Sequence, residues 1–238
     1  MKKALYKDAV KEIKNTYKRF ISILLMAFLG VGFFAGIRAT SPDMVNTLHT
    51  YYEAQNVYDI QVLSTLGLTQ EDVDAIKQID GVKEVVGTYE TDAMIEIEQA
   101  EIIAKVMCIE DTNQPVLLEG RMPEKSTECV VENGFLQGTN KKIGDTIQIE
   151  IQDTTNEEQE TIPYLKEKEM TIVGTVQTPL YLSQDKGTSK LGAGKINYYI
   201  LIPKENINAS EVFTQIYITI ENADKFITSS TKKEEKVN

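Results

Sequence analysis

An uncharged run from Phe20 to Ile37 (FISILLMAFLGVGFFAGI) constrains this chain more than any other feature. At 1.5 Å per residue it makes ~27 Å of helix, close to the ~30 Å hydrocarbon core of a bilayer. Arg19 and Arg38 close the run at its two ends, and both side chains are long enough to snorkel outward to the headgroups. A cleaved signal peptide would have an apolar core of roughly 7 to 15 residues followed by small residues at the cut. Here the run is longer and Arg38 stands where cleavage would fall, so an uncleaved anchor over residues 19–39 is expected. A buried soluble helix fits less well, because the run is apolar on every side and lysines crowd ahead of it.

Charge divides the chain at the same place. Residues 1–38 carry a net +6, and the remainder carries a net −17. By the positive-inside rule the N-terminus lies in the cytoplasm and the C-terminal part outside the cell membrane, a single-pass arrangement. So acidic an outer part repels nucleic acid, which needs Lys and Arg to displace its counterions. Within residues 1–18, Leu5, Ala9, Ile13 and Tyr17 repeat every four positions, with Val10 beside them and lysines around the rest. This predicts a basic amphipathic helix lying on the cytoplasmic face of the lipid. Gly32 and Gly36 form a G-x-x-x-G, a candidate helix-packing face for another membrane segment, although glycine is common enough in such helices for chance to explain it equally well.

Beyond the span the pattern changes to short strands and capped helices. A helical stretch is expected around Ser41 to Glu53, then a strand over Tyr58 to Ser64 in which Ile60 and Val62 alternate with polar neighbours. Thr69-Gln70-Glu71-Asp72 is a capping box ahead of Val73, Ile76 and Ile79 at helical spacing. Further strands follow in VKEVVGTYE and DAMIEIEQ, then over Glu101–Ile109, Glu128–Val131, Thr146–Ile151, Met170–Gln177, Asn197–Ile202 and Thr214–Ile220. Asp153–Glu160 reads as an acidic loop and Lys186–Lys195 as a glycine-rich surface loop. Ala223–Ile227 looks like a helix start running into a polar tail, residues 229–238. The fold class is α+β, rich in strands.

His49 is the one histidine, so zinc sites of the usual spacing and a Ser-His-Asp system have little to draw on, and no G-x-S-x-G is present. The Gly187–Lys195 loop fails as a phosphate-binding P-loop because Ala193, and not Lys, follows Gly192. No D-x-D-x-D-G calcium loop occurs, and with 36 acidic residues paired carboxylates discriminate nothing. Asn208-Ala209-Ser210 fits a glycosylation sequon, which by itself carries little weight. Cys108 and Cys129 both sit in strand-like apolar stretches and read as two small core residues, though one bridge between them stays open. No enzyme, cofactor or metal site is expected.

The order of these features resembles the permeases of FtsX-like, MacB-type ABC transporters, particularly those of Gram-positive bacteria, up to about residue 228. The resemblance rests on the basic helix and first span, the strand-helix-strand opening, Leu118-Glu119-Gly120-Arg121-Met122-Pro123 followed by Glu128-Cys129-Val130-Val131, Lys142-Ile143-Gly144-Asp145-Thr146, Ile172–Val176 and Thr178–Tyr181. Without the family, Gly120, Arg121, Pro123, Gly144 and Asp145 read as a structural turn motif: glycine for freedom, proline for a fixed φ, and Arg121 either pairing with Glu128 or facing solvent.

The resemblance implies a two-lobed, MacB-like periplasmic core domain over 40–228. One lobe would be 40–100 plus 205–228, and a β-rich lobe, 101–204, would be inserted into it. It also implies a non-catalytic permease that couples a separate cytoplasmic ABC ATPase to export or extracellular mechanotransmission, with further transmembrane segments as partners. Such permeases have four or more spans and this sequence has one, so a truncated or split permease is expected. The alternative is a stand-alone single-pass extracellular binding or adhesion protein.

Overall fold

In the computed structural model, residues 7, 11–12, 14–97, 100–152, 154–155, 161–181, 183, 185–208, 212–221 and 223 are described. Most of the expected amphipathic helix over residues 4–18, most of the 153–160 loop, the helix start after Ala223 and the 229–238 tail lie outside them. The chain divides into two compact units, Met1–Tyr51 and Tyr52–Asn238.

The first unit is helical. Helix α1, Tyr17–Ala54, runs unbroken for 38 residues, about 57 Å at the α-helical rise. It is long and apolar enough to cross a membrane, and none of its residues is buried. The apolar side chains from Phe20 to Ile37 stand exposed around it, as lipid contact requires. The sequence separates a span over 19–39 from a helix around Ser41–Glu53, whereas the structure joins the two. Thr40, Thr47 and Thr50 turn their hydroxyls back onto the carbonyls of Gly36, Asp43 and Asn46, at 2.8, 2.8 and 2.9 Å, which satisfies them inside the helix. Pro42 is accommodated within the helix, although it has no N–H to offer the Arg38 carbonyl.

The second unit contains two larger sheets. The smaller is three-stranded: β1 (Ile60–Thr69) and β2 (Val82–Thr88) flank β12 (Val212–Ile220), all antiparallel. Helix α2, Gln70–Lys77, packs on this sheet and buries Val73 with Leu68, Val85, Ile216 and Ile218. Its start is fixed locally, since Thr69 accepts from the Asp72 N–H while Asp72 accepts from the Thr69 N–H at 2.8 Å. Strand β1 runs further than the alternation around Ile60 indicates. Its register shifts between Leu63 and Leu68, where Gly67 takes φ +86°, and Leu66 is left 93% exposed.

The larger sheet has seven strands: β3 (Glu90–Ile97), β4 (Ala100–Cys108), β5 (Val116–Gly120), β6 (Glu128–Glu132), β7 (Thr146–Glu150), β10 (Glu169–Gln177) and β11 (Tyr198–Ile202). Their order is β5-β10-β6-β11-β4-β3-β7, and β7 pairs back with β10 through Met170 and Ile147. Six strands therefore close into a small barrel, with β5 attached outside along β10. The β10–β6 and β11–β4 pairs are parallel and the rest antiparallel.

Alternation fills the barrel. In β7 only Ile147 and Ile149 are buried, and Ile95, Cys129, Val131, Met170, Ile172, Ile200 and Ile202 share their core. Each such aliphatic side chain stabilises by about 1.5–3 kcal/mol on full burial. A second cluster, with Met107, Val130, Val173, Val176, Tyr199 and Leu201, comes from alternate positions of the same strands. Helix α3 (Asn133–Thr139) adds Phe135 to the barrel core, and Asn140 ends it in the left-handed conformation. A two-stranded ribbon pairs β8 (Thr154–Thr155), inside the stretch that reads as an acidic loop, with β9 (Thr161–Ile162) just after it.

Strand β3 pairs with β4 along its whole length and with β7. Ala93, Ile95 and Ile97 belong to the barrel core, so the change from one sheet to the other occurs at Tyr89.

Candidate functional site

The junction of the two sheets, beside the segment that follows α1, gathers the polar side chains of this unit. Residues 55–59 lead from the helix into β1, and the 109–115 loop leads from β4 to β5. Asn56 and Asn113 both take left-handed backbone conformations, φ 48° and 58°, which asparagine tolerates better than other non-glycine residues. The Asn113 N–H donates to the Asn56 carbonyl at 3.0 Å, and that of Gln114 to Gln55 at 2.8 Å. Asn56 Nδ2 donates to the Asp111 carbonyl at 3.1 Å and to Glu84 Oε2 at 3.2 Å. Asn113 Oδ1 in turn accepts from the Tyr58 N–H at 3.1 Å. The two segments are clasped reciprocally.

The same segment is tied to β12. Asp59 donates its N–H to the Ile218 carbonyl at 2.9 Å and accepts from the Ile220 N–H at 2.8 Å. Tyr58 stacks on Tyr217, with ring centroids 4.5 Å apart and planes 7° from parallel. Burial raises the pKa of both phenols, with the nearby Glu90 charge adding to it. Gln215 then carries the network to the barrel strand β3, donating to Glu90 Oε2 at 2.8 Å and to the Tyr217 hydroxyl at 2.7 Å.

Lys204 forms a second bridge. It donates to the Gly87 carbonyl at 3.0 Å, lies 3.1 Å from Glu110 Oε1, and stands 6.0 and 5.5 Å from the ring centres of Tyr89 and Phe213. Burial lifts the Glu110 carboxyl above its ordinary pKa, against the opposing pull of Lys204. Lys105 sits between Asp92 at 2.7 Å and Glu90 at 3.4 Å. Burial works to lower its pKa, and the hydrogen bonds and charges of those two carboxylates outweigh it, giving a net rise.

The turn motif lies elsewhere, beside β5 and β6. Arg121 forks onto Glu128, Nη1 to Oε2 at 2.8 Å and Nη2 to Oε1 at 2.7 Å. The N–H of Glu124 adds a bond to Glu128 Oε2 at 2.9 Å. Gly120 has φ +78° and Gly144 φ +100°, while Asp145 accepts from the Lys142 N–H at 2.8 Å. Pro123 lies in the irregular segment between β5 and β6. Arg19, Gly32, Gly36 and Arg38 all stand exposed on α1.

Among the described residues no group of three or more His, Cys, Asp or Glu is placed to hold a metal ion. Cys108 and Cys129 are free and buried, and burial pushes both thiols up to about 12, so neither is a ready nucleophile. The junction network fastens the segment after α1 to both sheets at once.

The family of MacB-like periplasmic core domains matches residues 20–230 of this sequence. The chain belongs to that family. Among solved structures, this MacB-like domain is similar to the extracellular domain of YknZ, a noncanonic ABC-type transporter from Gram-positive bacteria. The identity is 12% over 72% of this chain and 85% of that one, with a TM-score of 0.43. It is also similar to the periplasmic region of MacB from Actinobacillus actinomycetemcomitans, at 12% identity over 75% and 76% of the two chains and a TM-score of 0.40. No curated protein matches it.

Asn56, Asn113, Glu110, Lys204 and Gln215 do not stand out in the sequence of this MacB-like domain. The readable sign is a pair of asparagines, each between two regular elements, where turn residues with φ > 0 are favoured. Their meeting across 57 positions of sequence is not local information.

Proposed function

We propose that this chain is the anchored extracytoplasmic part of an ABC transporter permease of the FtsX/MacB type. It couples a separate cytoplasmic ATPase to export or to extracellular mechanotransmission and does no chemistry itself. The observation that carries this reading is the Asn56–Asn113 clasp, with the Asp59 bonds to β12. Residues 56–59, directly after α1 in the sequence, are bonded to the barrel loop and to the central strand of the smaller sheet. Family membership supports the same reading.

On this reading the N-terminus is cytoplasmic, Arg19 and Arg38 mark the two headgroup layers, and Gly32 and Gly36 face another membrane segment of the permease. The turn around Gly120, Arg121, Pro123, Gly144 and Asp145 is architecture, holding the edge of the barrel. The test is isolation of the full chain from cross-linked membranes of its own cells. An ABC ATPase should be recovered with it. Correct insertion without one, after repeated cross-linking, would favour a stand-alone extracellular binding or adhesion protein.

A further inference from the structure

Two buried side chains of the clasp loop have a polar atom with no protein partner among the described residues: Thr112 Oγ1 and Asn113 Nδ2. The residues are 3% and 6% exposed. Both line one cavity at the sheet junction, together with Glu110, Gln215 and Tyr217. Its volume is about 20 Å³, which is room for one water and too little for an organic ligand.

The chemistry of the lining selects the occupant. Asn113 Oδ1 accepts from the Tyr58 N–H, and that bond fixes which end of the amide is which. Nδ2 is then a donor in need of an acceptor, so a metal cation is excluded beside it. The Glu110 carboxylate, also in the lining, opposes an anion. A neutral molecule that accepts from Asn113 and exchanges a hydrogen bond with the Thr112 hydroxyl fits both. Leaving two such buried groups unpaired would be costly. We infer that the cavity is a binding site for a single ordered water, hydrogen-bonded to Asn113 Nδ2 and Thr112 Oγ1. This water completes the clasp from inside, and the inference stands whether or not the chain works in a transporter.

The test is a crystal structure of the full chain that resolves ordered waters, together with thermal unfolding of Thr112→Val. One density peak within about 2.7–3.2 Å of both atoms is expected. A cavity without density, or Thr112 and Asn113 turned to protein partners, would overturn the inference. Thr112→Val keeps the side-chain volume and removes the hydroxyl. With the water present its midpoint falls, by about 2–4 °C for a domain of this size. With the hydroxyl unpartnered its removal relieves a penalty and the midpoint rises, which contradicts the inference. Should Thr112→Val fail to fold, the density in the unaltered chain decides.

Discussion

Asn56 and Asn113 meet backbone to backbone, the N–H of one on the carbonyl of the other at 3.0 Å, with both residues in the left-handed region of φ. Two costs act together at such a site. Replacing Asn56 by Ala adds left-handed strain and removes the bonds to Asp111 and Glu84, for a loss of about 2 kcal/mol. Asn113→Gly relieves the strain and removes only side-chain bonds, so it should cost less than Asn113→Ala, by about 1 kcal/mol. Denaturant unfolding of the full chain in detergent measures both differences.

Acid should weaken the molecule through Glu128. The Arg121 fork holds its carboxyl down to about 2, helped by the Glu124 and Lys125 N–H groups. Because the folded value is depressed below the unfolded one, roughly 4.3, the stabilisation is complete above that value and is lost as pH falls towards 2. Thermal midpoints should drop through this window, and Glu128→Gln should be less stable at pH 7 with a flatter acid limb. An unchanged acid limb in Glu128→Gln would show that other carboxylates carry it.

The glycines of the β5–β10 pair should be intolerant of any side chain. Gly120 and Gly174 are register partners. A Cβ on Gly120 would meet the Val173 carbonyl at 2.3 Å, and one on Gly174 would meet the Arg121 and Glu119 carbonyls at 2.6 and 2.7 Å. Backbone cannot yield as a side chain can, so Gly174→Ala should lose about 1–3 kcal/mol or displace β5. Gly144 has φ +100° with open space around it, and Gly144→Ala should cost only the strain, about 1 kcal/mol. The ranking of the variants in one unfolding series tests this.

The cysteines should be silent in the folded protein. Both are buried, and burial pushes their thiols up to about 12. A polar maleimide should leave them unlabelled under native conditions and label both in denaturant, and a reductant should not shift the thermal midpoint. Native labelling at the unfolded rate would mean that the barrel opens.

Legibility in the sequence follows the range of the forces. Helix α2 is readable because its cap, Thr69 to Asp72, closes within four residues. Strands β3 and β7 are readable from alternation against a one-sided core. Strand β5 is hidden because Leu117 and Leu118 are both exposed, which erases the period. Helix α3 is hidden by Gly134 and Gly138, both poor helix formers, of which Gly138 makes room for Tyr198. Barrel closure through β7 and β10, and the clasp itself, depend on residues far apart in sequence, so no local pattern announces them.

The mechanical role of the clasp is tested most directly by a distance between the two sheets in the isolated ATPase complex. Spin labels at Glu71 on α2 and Leu118 on β5, both exposed positions, report that distance while Cys108 and Cys129 stay unlabelled. With ATP the distribution should shift relative to the nucleotide-free complex, and Asn56→Ala with Asn113→Ala should abolish the shift while leaving the ATPase bound. The same distribution with and without ATP, or a shift that survives loss of the clasp, would contradict the account.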